Sequence, residues 1–290
     1  MKKLLLILLL FGIQFSYTSC SKDNEITTEP SLEAAIFLDV SYGSNAQQKY
    51  DLYLPANRSA TKTKVIALVH GGGWIEGDKS DMAFLIPYIQ QIHPIHAIVN
   101  INYVLANATM PAFPNQILNL DVVIKKLTQE KNELQIYPEF ALVGVSAGAH
   151  LALMYDYVYD MDDQVKFVAD IVGPTDFTDP FYADNPDFPS LMALLVDESA
   201  YPPNTNYAKV LSPALQVSTE SSPTLLFYGN ADPLVPLTNA TTLNTALNTA
   251  QVDHNFNVYE GGHGNWTPND IENVKIQISD YIDTYLEVEE

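Results

Sequence analysis

Residues 140–152 read Phe140-Ala141-Leu142-Val143-Gly144-Val145-Ser146-Ala147-Gly148-Ala149-His150-Leu151-Ala152. The first six form a short apolar run, the pattern of a buried strand. From Ala147 to about Asp160 the chain reads as a helix. Between the two, Gly144-Val145-Ser146-Ala147-Gly148 fits G-x-S-x-G, a sharp strand-to-helix turn that lifts a serine hydroxyl above the carboxyl edge of a sheet. Such a turn strains the serine backbone and needs glycine where neighbouring chain comes close. The hydroxyl then stands at the positive end of a helix. Ser146 is the candidate nucleophile, and the turn predicts an α/β architecture.

Outward from this turn, strands and helices alternate. Segments 37–40, 50–54, 64–70, 97–103, 166–172, 224–229 and 255–260 read as further strands, and the run Lys64 to His70 is apolar enough to be covered on both faces. A helix is expected over 82–91, bent or broken by Pro87. Another follows Pro114, where Ile117, Leu120, Ile124 and Leu127 recur at spacings of three and four. Two more are expected near 236–249 and 268–287, the last with Ile271, Val274, Ile278, Ile282 and Tyr285 along one stripe. This order implies a mainly parallel eight-stranded sheet with helices on both faces, in one domain over 33–290. Segment 174–222 interrupts the rhythm with seven prolines and six aromatic residues. An insertion of that length reads as a lid or binding loop over the site, or as a surface excursion packed on the sheet edge.

Composition narrows the function. The chain has 290 residues, with 35 acidic against 14 basic side chains and a net charge of −21. Such a surface repels polyanions and excludes nucleic acid as a partner. Arg58 is the single arginine, which leaves almost no bidentate clamp for phosphoryl chemistry. Cys20 is the single cysteine, so neither an intramolecular disulfide nor a cysteine-based metal site is expected.

The start of the chain reads as a secretory signal peptide over 1–19. Lys2 and Lys3 precede an apolar run from Leu4 to Ile13, which is shorter than the roughly 20 residues a membrane span requires. Thr18-Ser19-Cys20 resembles a bacterial lipoprotein lipobox, although Tyr17 stands where an aliphatic residue is usual. Residues 20–32 then form a polar tether. The expected location is extracytoplasmic, with membrane contact only through a lipid on Cys20.

Two more strand ends carry chemistry. His70-Gly71-Gly72-Gly73-Trp74 follows strand 64–70 directly, and its glycines free backbone N–H groups to face a developing oxyanion. Together with the N–H of Ala147, Gly72 and Gly73 are the candidate oxyanion donors. Trp74 is a candidate wall for a small acyl pocket, and the aromatics of 174–222 offer flat faces to a sugar or aryl alcohol.

These motifs resemble α/β-hydrolase carboxylesterases. HGGGW at 70–74, GVSAGAHLA at 144–152, NADPLVP at 230–236 and GGHG at 261–264 are similar to the bifunctional feruloyl/acetyl esterase-like enzymes and to the hormone-sensitive-lipase-like esterases. Asn102-Tyr103-Val104-Leu105 departs from an N-Y-R-L pattern common in such proteins, and Ala149 replaces a common glycine. The resemblance implies an ion pair at that position which Val104 puts in doubt, without touching the chemistry. The resemblance implies hydrolysis of a small-molecule or carbohydrate ester, without metal or cofactor.

Among six histidines, only His263 follows the carboxyl end of a strand within a glycine-rich loop. His70 belongs to the glycine motif, His93, His96 and His254 precede strands, and His150 points one helical turn into the domain. Asp232, just past strand 224–229, is the candidate acid, and Asp176, one strand earlier, is its rival. The order Ser146, Asp232, His263 suits the fold. The same groups suit a serine peptidase or an arylformamidase. A glycan-binding protein on an inactive hydrolase scaffold is a further alternative, although all three positions are filled.

Overall fold

The computed structural model describes residues 32–288. The expected signal peptide over 1–19, Cys20 and the expected tether up to residue 31 lie outside the described residues. Eight strands form one sheet: β1 Ala35–Ser41, β2 Lys49–Leu54, β3 Val65–Val69, β4 Ala97–Ile101, β5 Phe140–Val145, β6 Val165–Ile171, β7 Thr224–Gly229 and β8 His254–Tyr259. Their spatial order is β1-β2-β4-β3-β5-β6-β7-β8. The β1–β2 and β2–β4 pairs are antiparallel, and every other pair is parallel. Parallel pairing in register, with Val69 beside Gly144 and Gly229 beside Tyr259, brings the ends of β3, β5, β7 and β8 to one edge.

The helices are α1 Ile86–Ile92, α2 Asn115–Gln129, α3 Lys131–Leu134, α4 Ala147–Met154, α5 Pro180–Ala183, α6 Phe188–Leu195, α7 Tyr207–Val210, α8 Leu237–Ala250 and α9 Pro268–Tyr285. Strand β3 shows why two layers of helix are needed. All five of its residues are buried, because Val65, Ala67 and Val69 pack into the core with α2, α4 and α8, while Ile66 and Leu68 pack into the opposite core with α1 and α9. Each Val, Ile or Leu among them contributes roughly 1.5–3 kcal/mol by leaving water. Among the described residues, no helix is long and apolar enough to cross a membrane.

Two local expectations change. Pro87 does not break a helix: a 3₁₀ turn over Lys79–Leu85 comes first, and Pro87 sits in the opening turn of α1, where no N–H is needed. The helix after Ser146 is α-helical only to Met154, then widens into a π turn over Tyr155–Tyr159. Segment 174–222 is tied to the body by backbone hydrogen bonds. Thr175 and Asp176 donate their N–H groups to Asn239 Oδ1 at 2.9 and 2.8 Å, and Asp197 donates to the Phe113 carbonyl at 2.8 Å.

Candidate active site

Ser146 links β5 to α4 with φ 53° and ψ −119°, a backbone region costing of order 1–3 kcal/mol for a residue with a side chain. Its N–H donates to the Ile171 carbonyl at 2.8 Å, which helps hold that conformation. The glycine at 148 is required by approach: a Cβ there would stand 2.2 Å from the Val69 carbonyl oxygen and 2.3 Å from that of His70. The elbow therefore lies directly against the end of β3, beside the glycine loop.

The loops after β7 and β8 bring in two further side chains. His263 Nε2 lies 2.8 Å from Ser146 Oγ, and His263 Nδ1 lies 2.6 Å from Asp232 Oδ2. Asp232 Oδ1 accepts the N–H groups of Leu234 and Val235 at 2.8 and 3.0 Å. Burial pushes the Asp232 carboxyl up, but the hydrogen bond to His263 and those from Val235 and Leu234 outweigh it and hold the group below its ordinary value. Asp232 is thus ionised and aimed at the ring. Asp176 is elsewhere, its carboxylate accepting the N–H and hydroxyl of Thr178.

The other histidines have structural partners. His93 meets Ser279 and His96 the Leu286 carbonyl, while His254 sits beside Asn244. His150 is fully buried, with Nε2 2.8 Å from the Leu211 carbonyl, and burial lowers its pKa to about 4. It ties α4 to the 174–222 segment as a neutral ring.

The glycine loop stands over Ser146. Gly72 has φ 108°, a conformation closed to side chains, and a Cβ there would meet the Glu76 carbonyl at 2.0 Å. His70 stacks on Tyr103 at 4.2 Å, and the Tyr103 hydroxyl reaches the His70 and Gly71 carbonyls at 3.0 Å each. Among the described residues, the N–H groups of Gly72, Gly73 and Ala147 have no acceptor. Amides of α2 brace the loop near Val104. Gln116 Nε2 donates to the carbonyls of Trp74 and Val104 at 2.7 and 2.8 Å, and Asn119 accepts the Val104 N–H at 2.9 Å. The sequence reading missed both amides because it followed only apolar periodicity along α2. Polar residues falling on the buried face were the available signal.

Ser146 and His263 open into a cavity of about 560 Å³. Trp74 forms one wall, its ring packed against Phe113, His150 and Phe177 at 5.4, 5.4 and 5.9 Å. Phe177, Tyr182 and Phe188 from the 174–222 segment line the same chamber, as do the carboxylate residues Glu76 and Asp81. The tryptophan wall and the insertion aromatics therefore build one space, not two separate ones.

An elbow serine on a mainly parallel eight-stranded sheet of this order defines an α/β-hydrolase. The sequence profile of the BD-FAE family matches residues 50–247, and the chain belongs to that family. Esterase LipQ of Mycobacterium tuberculosis is 25% identical over 231 residues, covering 75% of this chain and 54% of LipQ. Kynurenine formamidase of Danio rerio is 30% identical over 135 residues, covering 44% of this chain and 43% of the formamidase. The chain thus spans about half the length of these curated relatives. Two solved structures share the fold. A truncated carbohydrate esterase from gut microbiota has a TM-score of 0.71 at 19% identity, over 87% of this chain and 96% of that one. Thermogutta terrifontis esterase 2 phosphonylated by sarin has a TM-score of 0.72 at 18% identity, over 89% and 96%.

Proposed function

We propose that the protein is a serine carboxylesterase working through an acyl-enzyme. One observation carries this reading: Asp232, His263 and Ser146 stand in a line of contacts of 2.6 and 2.8 Å. Ionised Asp232 keeps the ring proton on Nδ1, so Nε2 is the base. Nε2 takes the Ser146 proton as Oγ attacks the ester carbonyl. The N–H groups of Gly72, Gly73 and Ala147 hold the negative oxygen. His263 then passes its proton to the departing alkoxide, leaving an acyl group on Ser146. Water, deprotonated by His263, attacks that group and releases the carboxylic acid and the serine.

The substrates we propose are short-acyl esters of carbohydrate or aryl alcohols, supported by the aromatic walls at Trp74, Phe177, Tyr182 and Phe188. A second reading is hydrolysis of an N-formyl aryl amine, favoured by the partial identity to kynurenine formamidase. We also propose that the chain is exported and held at a membrane through a lipid on Cys20.

The test is a panel of p-nitrophenyl esters from acetyl to dodecanoyl, run beside acetylated xylan, methyl ferulate and an N-formyl aryl amine. Acetyl esters should be turned over fastest, and Ser146→Ala should lose about three to six orders of magnitude in kcat with an unchanged melting curve. A preference for long acyl chains contradicts the substrate class, preference for the formyl amide selects the second reading, and an active Ser146→Ala variant overturns the mechanism.

A further inference from the structure

A second cavity, of about 190 Å³, adjoins the main chamber. It shares Gly71, Val145 and Asp81 with the main chamber, and Gly264, the residue after His263, forms part of its wall. A Cβ on Gly71 would stand 3.2 Å from Ser146 Cβ, so the wall shared by the two cavities lies close against the nucleophile. Its remaining walls are mainly apolar side chains, among them Met82, Phe84, Trp266 and Ile271, together with Lys275.

The polar groups near it are engaged. Trp266 Nε1 donates to the Gly262 carbonyl at 3.2 Å, which leaves the indole as an apolar wall. The Asp81 carboxylate accepts the Asp78 N–H at 3.0 Å. Lys275 lies 3.5 Å from Glu272 and 5.4 Å from the centre of the Tyr88 ring. With one Asp81 oxygen and the Lys275 ammonium so placed, the space offers few hydrogen bonds to a sugar hydroxyl in exchange for water. It suits a flat, apolar group instead, and an apolar cavity of about 150 Å³ is known to take up benzene. Phe84 and Ile271 are also partly exposed, 55% and 36%, so a ring seated between them would cover apolar surface that water now meets.

We infer that this cavity is a second substrate subsite, which holds one phenyl-sized ring of the ester while the main chamber holds the rest. The inference rests on the esterase reading above. The two substituents of the tetrahedral carbon diverge from Ser146 once its oxygen is fixed by the glycine loop; the main chamber receives one, and the cavity that meets it at Gly71 and Val145 stands next to Ser146 to receive the other.

The experiment compares kcat/KM for methyl benzoate, with the ring in the acyl half, phenyl acetate, with the ring in the alcohol half, and methyl acetate, with none. Ile271→Trp fills the cavity and Phe84→Ala removes one wall. The readout is each aryl ester's kcat/KM divided by that of methyl acetate, for each variant. One of the two ratios should fall at least tenfold in Ile271→Trp, through a rise in KM, and severalfold in Phe84→Ala. The arm that falls identifies the half of the ester that enters. Ratios equal to wild type in both variants, with methyl acetate still cleaved, overturn the subsite and leave the esterase reading intact. Failure of the wild-type protein to cleave all three esters overturns both.

Discussion

His263 Nδ1 lies 2.6 Å from Asp232 Oδ2, while the second oxygen of that carboxylate is occupied by the N–H groups of Leu234 and Val235. The carboxylate is held on two sides and faces the ring as an acceptor. That relation assigns the imidazole proton to Nδ1 and leaves Nε2 to accept from Ser146.

Asp232→Asn preserves the shape but offers the ring an amide, which favours the wrong tautomer. The expected loss is about 10⁴ in kcat on p-nitrophenyl acetate, with a near-native melting curve. Asp176→Asn should stay close to wild type, because that carboxylate serves only Thr178 in the loop. If Asp176→Asn is the more damaging of the two, the acid has been placed one strand too late.

Gly148→Ala forces a methyl group to within 2.2 Å of a backbone carbonyl in β3. Neither the strand nor α4 has a flexible side chain to yield there, so the cost is at least the ~1–3 kcal/mol of an overpacked core. A Cβ on Gly73 meets no atom within 4 Å, and only its φ of 55° opposes substitution. Urea unfolding should therefore rank Gly148→Ala well below Gly73→Ala in stability. The reverse order would show that α4 can step away from β3.

Asp170, enclosed within β6, faces no cation. The Tyr228 oxygen lies 2.5 Å from Asp170 Oδ2 and 2.6 Å from the Gly173 carbonyl, and the Gly173 N–H donates to Asp170 Oδ1 at 2.8 Å. Tyr228 has one proton for two acceptors. The network closes when Asp170 is protonated and donates to Tyr228, which donates to Gly173. Burial pushes the Asp170 carboxyl up to about 7. Its folded value thus exceeds its unfolded one. This group's contribution is complete below about pH 4 and is lost as pH rises to about 7, by up to ~1.4 kcal/mol per pH unit. Asp170→Asn carries a permanent neutral donor, so its unfolding free energy should gain on wild type between about pH 5 and pH 7. Parallel pH profiles for the two proteins would mean that Asp170 is ionised in the fold.

Cys20→Ser tests the anchor separately from the chemistry. In a bacterial host, wild-type chain should incorporate labelled fatty acid and sediment with membranes, and the variant should do neither. Equal sedimentation of both would remove the anchor and leave the esterase reading untouched.

Much of this architecture was legible in the sequence because its signals are local. Runs such as Val65–Val69 and Phe140–Val145 announce strands covered on both faces, and the turn at Ser146 announces the edge where they end. His263 could be selected because the other histidines precede strands or belong to a helix or the glycine loop. What stayed hidden depends on contacts far apart in the chain. The Asp170–Tyr228 network joins residues 58 positions apart, and Gln116 reaches 42 positions back to the Trp74 carbonyl. The cavity beyond Gly71 is assembled from a 3₁₀ turn, a strand end and α9, so no single segment of sequence records it.

Glu76 and Asp81 stand in the wall of the chamber that Ser146 faces, on a chain carrying a net charge of −21. An uncharged ester enters this field at little electrostatic cost. Its hydrolysis creates a carboxylate in the same place, and that anion is repelled by both side chains and by the surrounding surface. Accumulated acetate should therefore inhibit turnover weakly, and more strongly as salt shortens the reach of the field. On the esterase reading proposed above, the acidic wall is a one-way valve, indifferent to the arriving molecule and hostile to the departing one.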